Sequence, residues 1–267
     1  MVTPYLETDI VKKIRKSLDN INKKIIVMSI KGGVGKSTIT SNLALTLASE
    51  DHQVGILDAD VNNPCIPFIF GVQDKSPVKS ASTVFPVTGP LNIKIVSTKF
   101  FFPEDSITVI RGGSKTEILR QFLSGITWGK LEYLFIDLPP SIGSEFFSLL
   151  QLIPELYGAI LVTTPDSLSS KAINRTIKLI NQFNINILGI IENMSGFICP
   201  NCGEIITPFG EKKGEEIAKK EDIPFLGRIP LIPNLESNFQ CGQPIFTIKE
   251  YAPIKEQFLK IIKKINK

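Results

Sequence analysis

Histidine, cysteine and long apolar runs are all scarce in this chain of 267 residues, and each scarcity excludes a class of protein. The single histidine, His52, leaves no nucleophilic triad built on a histidine base. Four cysteines in so long a chain do not make the disulfide framework of a small secreted domain. No apolar run approaches the roughly twenty residues of a membrane-spanning helix, and the start of the chain lacks the apolar centre of a signal peptide. We therefore expect a cytoplasmic protein with reduced thiols.

An excess of charge is also missing. The chain has 30 Lys and Arg against 26 Asp and Glu, for a formal charge of +4. This excess is too small to imply nucleic acid, so no nucleic-acid partner is expected. Apolar residues make up 43% and charged residues 21%, which is the range of ordinary globular proteins.

Short apolar runs alternate with amphipathic stretches along most of the chain. The predicted strands cover residues 25–30, 54–57, 93–96, 131–136, 158–162 and 187–191. The predicted helices cover residues 36–50, 115–124, 143–152, 169–183, 211–220 and 253–266. Near-continuous apolar strands separated by helices predict a single α/β domain with a mostly parallel central sheet and helices on both faces. Residues 61–92 predict a long surface loop.

The clearest motif lies between the first predicted strand and the helix after it. It reads Lys31-Gly32-Gly33-Val34-Gly35-Lys36-Ser37-Thr38. A glycine-rich loop in this setting binds phosphates, because its backbone N–H groups and the helix N-terminus face the anion. We expect Lys36 to contact the β- and γ-phosphates and Ser37 to ligate Mg²⁺. The alternative is a glycine-rich turn with two solvated lysines, but strand, loop, lysine, hydroxyl and helix all agree with a phosphate loop.

The loop departs from the usual phosphate-loop motif, because Ile30 stands where a glycine is expected and Lys31 precedes the paired glycines. In this it resembles the deviant phosphate loop of the nitrogenase-iron-protein, MinD and ParA group. That resemblance implies that Lys31 reaches across a homodimer interface to the partner's nucleotide. Lys31 and Lys36 are therefore both candidate catalytic residues.

Two predicted strands run into aspartates. Asp137 follows the strand at 131–136, where a carboxylate suits a Mg²⁺ site. Asp58 and Asp60 mark the end of the strand at 54–57. Resemblance to the same ATPases implies that Asp60 orients the attacking water, with Asp58 as a supporting carboxylate nearby. Asp60 is also counted with Ser37 and Asp137 as a candidate Mg²⁺ ligand; the alternative for Asp58 and Asp60 is capping of the following turn.

The strand at 187–191 runs into Asn193. A side-chain amide at this edge can donate to one ring atom of adenine and accept from its exocyclic amine. The family resemblance supports this contact, and no Asn-Lys-x-Asp guanine motif occurs in the chain, so ATP is expected rather than GTP. The alternative is that Asn193 only forms a turn.

A second motif is the pair Cys199 and Cys202 within Cys-Pro-Asn-Cys-Gly. Two thiolates supply only half of the four ligands that tetrahedral zinc or a four-iron cluster normally takes. The economical arrangement is a symmetric dimer whose two chains share one site. A bridging iron–sulfur cluster, a zinc ion and a redox dithiol all remain open, and the phosphate loop favours the cluster. Cys65 and Cys241 are expected to be buried small apolar residues.

Together these motifs resemble the Mrp/ApbC family of iron–sulfur cluster carrier ATPases over about residues 23–250, including the stretches 58–64, 192–197 and 224–231. The resemblance implies a homodimer that hydrolyses Mg-ATP, binds a labile 4Fe–4S cluster at the shared cysteine pair and transfers it to apo iron–sulfur proteins. It departs at Asn62 and Asn63, where the family usually has Tyr-Gly. It departs again at residues 141–144, where the family usually has Gly-Thr-Gly-Asp, and we expect this change either to slow hydrolysis or to alter how this segment couples to the cluster.

The remaining expectations concern the two ends of the chain. Residues 1–22 are expected to form a charged lead, and residues 23–267 the phosphate-loop ATPase domain with the cysteine pair inserted at 199–202. The tail has lysines flanking one apolar helical face, formed by Ile254, Phe258, Ile261, Ile262 and Ile265. Such a face also suits a membrane surface, as in MinD-type positioning ATPases. We expect packing on the sheet instead, and the same for the stripe at residues 10–21.

Overall fold

The computed structural model describes residues 8–29, 31–80, 83–101, 120, 123–140, 143–167, 170–199, 202, 204–210, 213–232 and 252–266. Its strands are β1 (Ile21–Ser29), β2 (Val54–Asp58), β3 (Lys79–Ser80), β4 (Thr83–Val84), β5 (Val87–Thr88), β6 (Lys94–Ser97), β7 (Leu131–Asp137), β8 (Gly158–Thr163), β9 (Ile187–Glu192), β10 (Phe197–Ile198), β11 (Ile205–Ile206) and β12 (Phe225–Arg228). Its helices are α1 (Asp9–Leu18), α2 (Lys36–Ala48), α3 (Ile66–Ile69), α4 (Ser144–Leu152), α5 (Ser170–Gln182), α6 (Gly214–Lys220) and α7 (Ala252–Ile265).

Eight of these strands form one sheet in the order β12-β9-β8-β1-β7-β2-β6-β5. All neighbours are parallel except β5, which runs antiparallel to β6. The strands β2, β8 and β9 are buried along their whole length, which requires cover on both faces. The expected mostly parallel α/β sheet is therefore confirmed.

Two apolar clusters fill the space between the sheet and its helices. One contains buried residues of α1, α4, α5 and α6, and the other contains those of α2, α3 and α7. Each cluster also takes side chains from alternate positions of the central strands, such as Ile26 in the first and Ile25 in the second. The helices thus cover both faces, as the alternating strand and helix pattern predicts.

The first helix belongs to this core. Ile14 and Leu18 of α1 are buried against it, and β1 begins directly afterwards at Ile21. The expected boundary after residue 22 therefore lies inside a strand of the main sheet. The apolar stripe of residues 10–21 packs on the core, as predicted.

Residues 61–92 are more regular than a long surface loop. They contain α3 and the two-residue strands β3, β4 and β5, of which β5 extends the main sheet. Elements of two to four residues are too short to produce a detectable hydrophobic period, which explains why the sequence pattern misses them. Most of the helix expected at 115–124 lies outside the described residues.

The C-terminal helix α7 is packed rather than exposed. Its apolar face, including Phe258 and Ile261, is buried in the cluster that also contains α2. The end of the helix is fixed by Asn266, whose Oδ1 accepts hydrogen bonds from Lys23 Nζ at 2.8 Å and from Tyr133 OH at 3.1 Å. No helix in the described ranges is long and apolar enough to cross a membrane.

The burial of α7 leads to a stability prediction. Replacing Phe258, which is 1% exposed, with alanine should lower the free energy of unfolding by about 3–5 kcal/mol, because a large buried ring leaves a cavity. Urea titration measures the change. The control is Lys260→Ala on the exposed face of the same helix, which should change stability by less than about 0.5 kcal/mol. Equal losses from both substitutions would contradict the packing of this helix.

Candidate functional site

The phosphate loop connects β1 to α2 and borders a cavity of about 260 Å³. Gly33 and Gly35 have φ angles of 78° and 79°, in the left-handed region that glycine adopts without strain. The backbone can therefore curve around an anion at the N-terminus of α2, where the helix dipole is positive. Residues 32–38 all line the cavity, so the structure brings the predicted phosphate-binding residues together.

Lys36 and Ser37, which line the cavity, form one polar cluster with two completely buried side chains, Asp137 and Thr40. Lys36 Nζ lies 2.8 Å from Asp137 Oδ2, and both side chains are buried. Ser37 Oγ donates to the same carboxylate oxygen at 2.5 Å, and Thr40 Oγ1 donates to Oδ1 at 2.7 Å. Asp137 therefore joins the end of β7 to the first turns of α2.

The cluster has the donors that Mg²⁺ requires. The ion prefers oxygen ligands and keeps several waters, so that one or two protein oxygens are sufficient. The hydroxyl of Ser37, which lines the cavity, lies 2.5 Å from the carboxylate of Asp137, and these are two of the three Mg²⁺ ligands expected from the sequence. Asp60 also lines the cavity, with its side chain 6% exposed.

The two aspartates that follow β2 have different surroundings. Asp60 Oδ1 accepts the backbone N–H groups of Asn62 and Asn63, both at 3.1 Å. Asp58 is completely buried and accepts from Ser97 Oγ at 3.0 Å and from the Ile66 N–H at 3.2 Å. Asp58 thus holds the loop that carries Asp60, which is the supporting position expected for it.

Burial raises the pKa of Asp58 well above its ordinary value, and the negative charge of Asp137 raises it further. The hydrogen bond from Ser97 and the charge of Lys36 act in the opposite direction. Asp58 and Asp137 are register partners on β2 and β7, so two carboxylates share one buried edge of the sheet.

Lys31 points away from this cluster. Its side chain is 61% exposed, and Nζ lies 3.0 Å from Asp166 Oδ2. A hydrogen bond from Thr164 and a second from Lys31 lower the pKa of Asp166. Sequence reasoning did not identify Asp166, because no local pattern relates residues 31 and 166. The exposed position of Lys31 is compatible with the expected contact to a partner chain.

Asn193 lies at the phosphate loop itself. Its Nδ2 donates to the Val34 carbonyl at 2.8 Å, and the side chain is buried. The expected contact with adenine stays a prediction, whereas the contact with the loop was not anticipated.

The cysteine pair lies in a hairpin formed by β10 and β11. Cys199 is half-buried, and its N–H donates to the Glu204 carbonyl at 2.9 Å, while Cys202 is exposed. Among the residues whose placement is described, no group of three or more Cys, His, Asp or Glu could hold a metal ion. The described part of this hairpin therefore carries two thiols, those of Cys199 and Cys202. Cys241 lies outside the described residues.

Cys65 does not have the purely apolar surroundings expected for it. Its side chain is half-buried and lines the phosphate cavity, and Sγ donates to the Asn63 carbonyl at 3.3 Å. Burial raises the pKa of the Cys65 thiol, and the nearby carboxylates, led by Asp58, raise it further. Its position five residues after Asp60 in the chain is the signal that could have indicated this.

A parallel sheet with a phosphate loop, a buried lysine and carboxylates at its carboxyl edge defines a P-loop NTPase. The family model described as ParA, the NUBPL iron-transfer P-loop NTPase, matches residues 20–266. The chain belongs to this family, which confirms the relationship expected from its motifs.

Individual relatives agree with this assignment. The chain is 42% identical to the iron-sulfur cluster carrier protein of Methanocaldococcus jannaschii, covering 95% of this chain and 87% of that protein. It is 38% identical to the cytosolic Fe-S cluster assembly factor CFD1 of Candida glabrata, covering 94% and 92%.

Solved structures show the same fold. A nucleotide-binding protein from Archaeoglobus fulgidus in complex with ADP superposes with a TM-score of 0.78 at 38% identity, covering 93% of this chain and 96% of that one. The septum site-determining protein MinD of Pyrococcus horikoshii, at 21% identity and a TM-score of 0.66, covers 92% and 96% and shares the fold.

The raised pKa of Cys65 predicts slow alkylation. A raised pKa leaves less thiolate at a given pH, and the thiolate is the nucleophile. At about pH 8, Cys65 should react with iodoacetamide about tenfold more slowly than Cys202, and its rate should keep rising above about pH 9. Mass spectrometry of the peptides measures both rates. Equal rates at every pH would contradict the buried, anionic surroundings of Cys65.

Proposed function

We propose that this chain is an ATP-hydrolysing carrier of iron–sulfur clusters that works as a homodimer in the cytoplasm and delivers clusters to apo-proteins. The observation that carries the proposal is the presence of two sites in one chain. One is the phosphate cavity with Lys36 and Ser37, both paired with Asp137, and the other is a hairpin that carries one exposed and one half-buried thiol. The names of the relatives, iron-sulfur cluster carrier protein and cytosolic Fe-S cluster assembly factor, support the same function.

In the proposed reaction, the loop N–H groups and Lys36 stabilise the charge that develops on the transferred phosphate. Ser37 and Asp137 would hold Mg²⁺, which neutralises phosphate oxygens when bound. Asp60 would orient the attacking water, a role supported by its position at the cavity. Lys31 would contact the nucleotide of the partner chain, which its exposed position supports.

The cluster itself is treated as cargo. Two thiolates from each chain make the four ligands of a 4Fe–4S cluster, and a site on a two-fold axis provides them without any further residue. Exposure of Cys202 and partial exposure of Cys199 support a site from which a cluster could be passed on.

Metal analysis tests the cargo. After anaerobic reconstitution, we expect about four irons and four sulfides per dimer, with loss of both in Cys199→Ser. Cys65→Ser is the matched control, because it removes a thiol from the other site, and it should keep the iron. If zinc stays bound through iron reconstitution, the result would contradict the carrier function and indicate a zinc-stapled dimeric ATPase.

Mixing two inactive variants tests hydrolysis and the dimer together. Asp60→Ala and Lys31→Ala should each lower the ATPase rate by about 100-fold or more. If Lys31 acts on the partner's nucleotide, each mixed dimer has one complete site. An equal mixture should then recover about a quarter of the normal rate, because half the dimers are mixed.

The remaining outcomes of this mixing experiment are also decisive. No recovery would mean that Lys31 acts on its own nucleotide, and full activity of Asp60→Ala would remove Asp60 from the reaction. Asp74→Ala, which removes an exposed carboxylate, is the control and should hydrolyse ATP normally.

A further inference from the structure

The side-chain amide of Asn193 lies against the middle of the phosphate loop. Its Nδ2 donates to the Val34 carbonyl at 2.8 Å, and the two residues are 5% and 3% exposed. The amide also occupies the space that a side chain at Gly35 would need. Asn193 therefore contacts two consecutive residues of the loop, and any movement of the Val34 carbonyl changes the position that its amide must adopt.

Asn193 is also close in sequence to the cysteine hairpin. It follows the last residue of β9, and only residues 194–198 separate it from Cys199. The chain bends sharply in this interval, with φ angles of 54° at Met194 and 148° at Gly196. A non-glycine residue in the left-handed region is unfavourable by itself, so that the surrounding contacts must hold it there.

Those contacts attach the segment to the sheet. The N–H of Asn193 donates to the Thr163 carbonyl at 2.7 Å, and that of Ser195 donates to the Ile229 carbonyl at 3.0 Å. The Gly196 carbonyl accepts from the Leu231 N–H at 2.8 Å. These three hydrogen bonds restrain the backbone between Asn193 and the start of β10.

The residue before Asn193 is anchored as well. Glu192 is completely buried, and its two carboxylate oxygens accept from the Gly214 N–H at 2.6 Å and from Arg228 Nε at 3.3 Å. A buried carboxylate held by two donors resists displacement, because losing either donor leaves a buried oxygen without its hydrogen bond. The backbone on the N-terminal side of Asn193 is therefore held in place at the end of β9.

We propose that Asn193 is a positioning residue that couples nucleotide binding at the phosphate loop to the exposure of the Cys199 and Cys202 hairpin. Bound phosphate fixes the loop amides and with them the Val34 carbonyl, and Asn193 passes this constraint to the start of the hairpin. The inference builds on the two sites of the proposed function but requires neither iron nor hydrolysis. Coupling between binding sites is reciprocal, so an occupant of the thiols should also alter nucleotide affinity.

Thiol alkylation of the metal-free full chain measures this coupling. The rate of iodoacetamide reaction at Cys199 is compared with and without saturating Mg-ADP. In the unaltered protein we expect ADP to slow it by about fivefold or more. In Asn193→Asp, which keeps the shape of the side chain but cannot donate to Val34, the ratio should fall to about one.

Two further features keep the experiment decisive. Asn181→Asp adds the same charge at an exposed position of α5 and should keep the full ratio. Cys65 lines the phosphate cavity, so its protection by ADP reports a folded and occupied pocket in every sample. In each variant the ADP concentration is raised until Cys65 is fully protected, so that a weaker affinity for ADP is not mistaken for a loss of coupling. Asn193→Ala is a second variant that removes the amide without adding a charge.

Three results are possible once Cys65 is protected. Loss of the Cys199 effect in both Asn193 variants, with Asn181→Asp unchanged, supports the coupling. An ADP effect on Cys199 that persists in both variants would overturn it, as would the absence of any ADP effect on Cys199 in the unaltered protein. Failure of the chain to bind iron would contradict the proposed function but would not alter this experiment.

Discussion

The carboxylate of Asp137 is held inside the protein by three donors that belong to the start of α2. Lys36, Ser37 and Thr40 approach it at 2.8, 2.5 and 2.7 Å. A buried charge is tolerated only when it is paired and hydrogen-bonded, so losing any of these contacts would destabilise the fold. The position of α2 relative to β7, and with it the curvature of the phosphate loop, follows from this requirement.

The same carboxylate determines how Asp58 can behave. Asp58 is its register partner on the neighbouring strand, and Lys36 is the cation that influences both. The raised pKa of Asp58 reflects this shared burial, and its hydrogen bonds from Ser97 and Ile66 make it an anchor for the following loop. Asp60 lies in the loop between Asp58 and Ile66, and these hydrogen bonds thereby hold it at the cavity. The buried carboxylates of Asp58 and Asp137 thus fix the backbone on which Asp60 reaches the cavity.

Features of the site formed by residues adjacent in sequence could be predicted, whereas contacts between residues far apart in sequence could not. The strand before the loop, the loop itself and α2 are adjacent in sequence, and their order alone identified the phosphate site. The contacts of Asn193 with Val34 and of Lys31 with Asp166 join residues 159 and 135 positions apart, and no periodicity reports them. The residue type of Cys65 predicts an apolar interior, whereas carboxylates of neighbouring aspartates surround its thiol.

The two lysines of the loop differ in burial and in the strength of their ion pairs. Lys36 is 7% exposed and paired with a completely buried carboxylate, so that moving it away would leave an unpaired charge inside the protein. Lys31 is 61% exposed, and its partner Asp166 is 41% exposed; surface ion pairs of this kind contribute at most about 1 kcal/mol. A phosphate from another chain can therefore compete for Lys31 but not for the pairing of Lys36 with the sheet. Lys31 can therefore exchange its partner while Lys36 keeps Asp137, a difference on which the proposed contact of Lys31 with a partner's nucleotide depends.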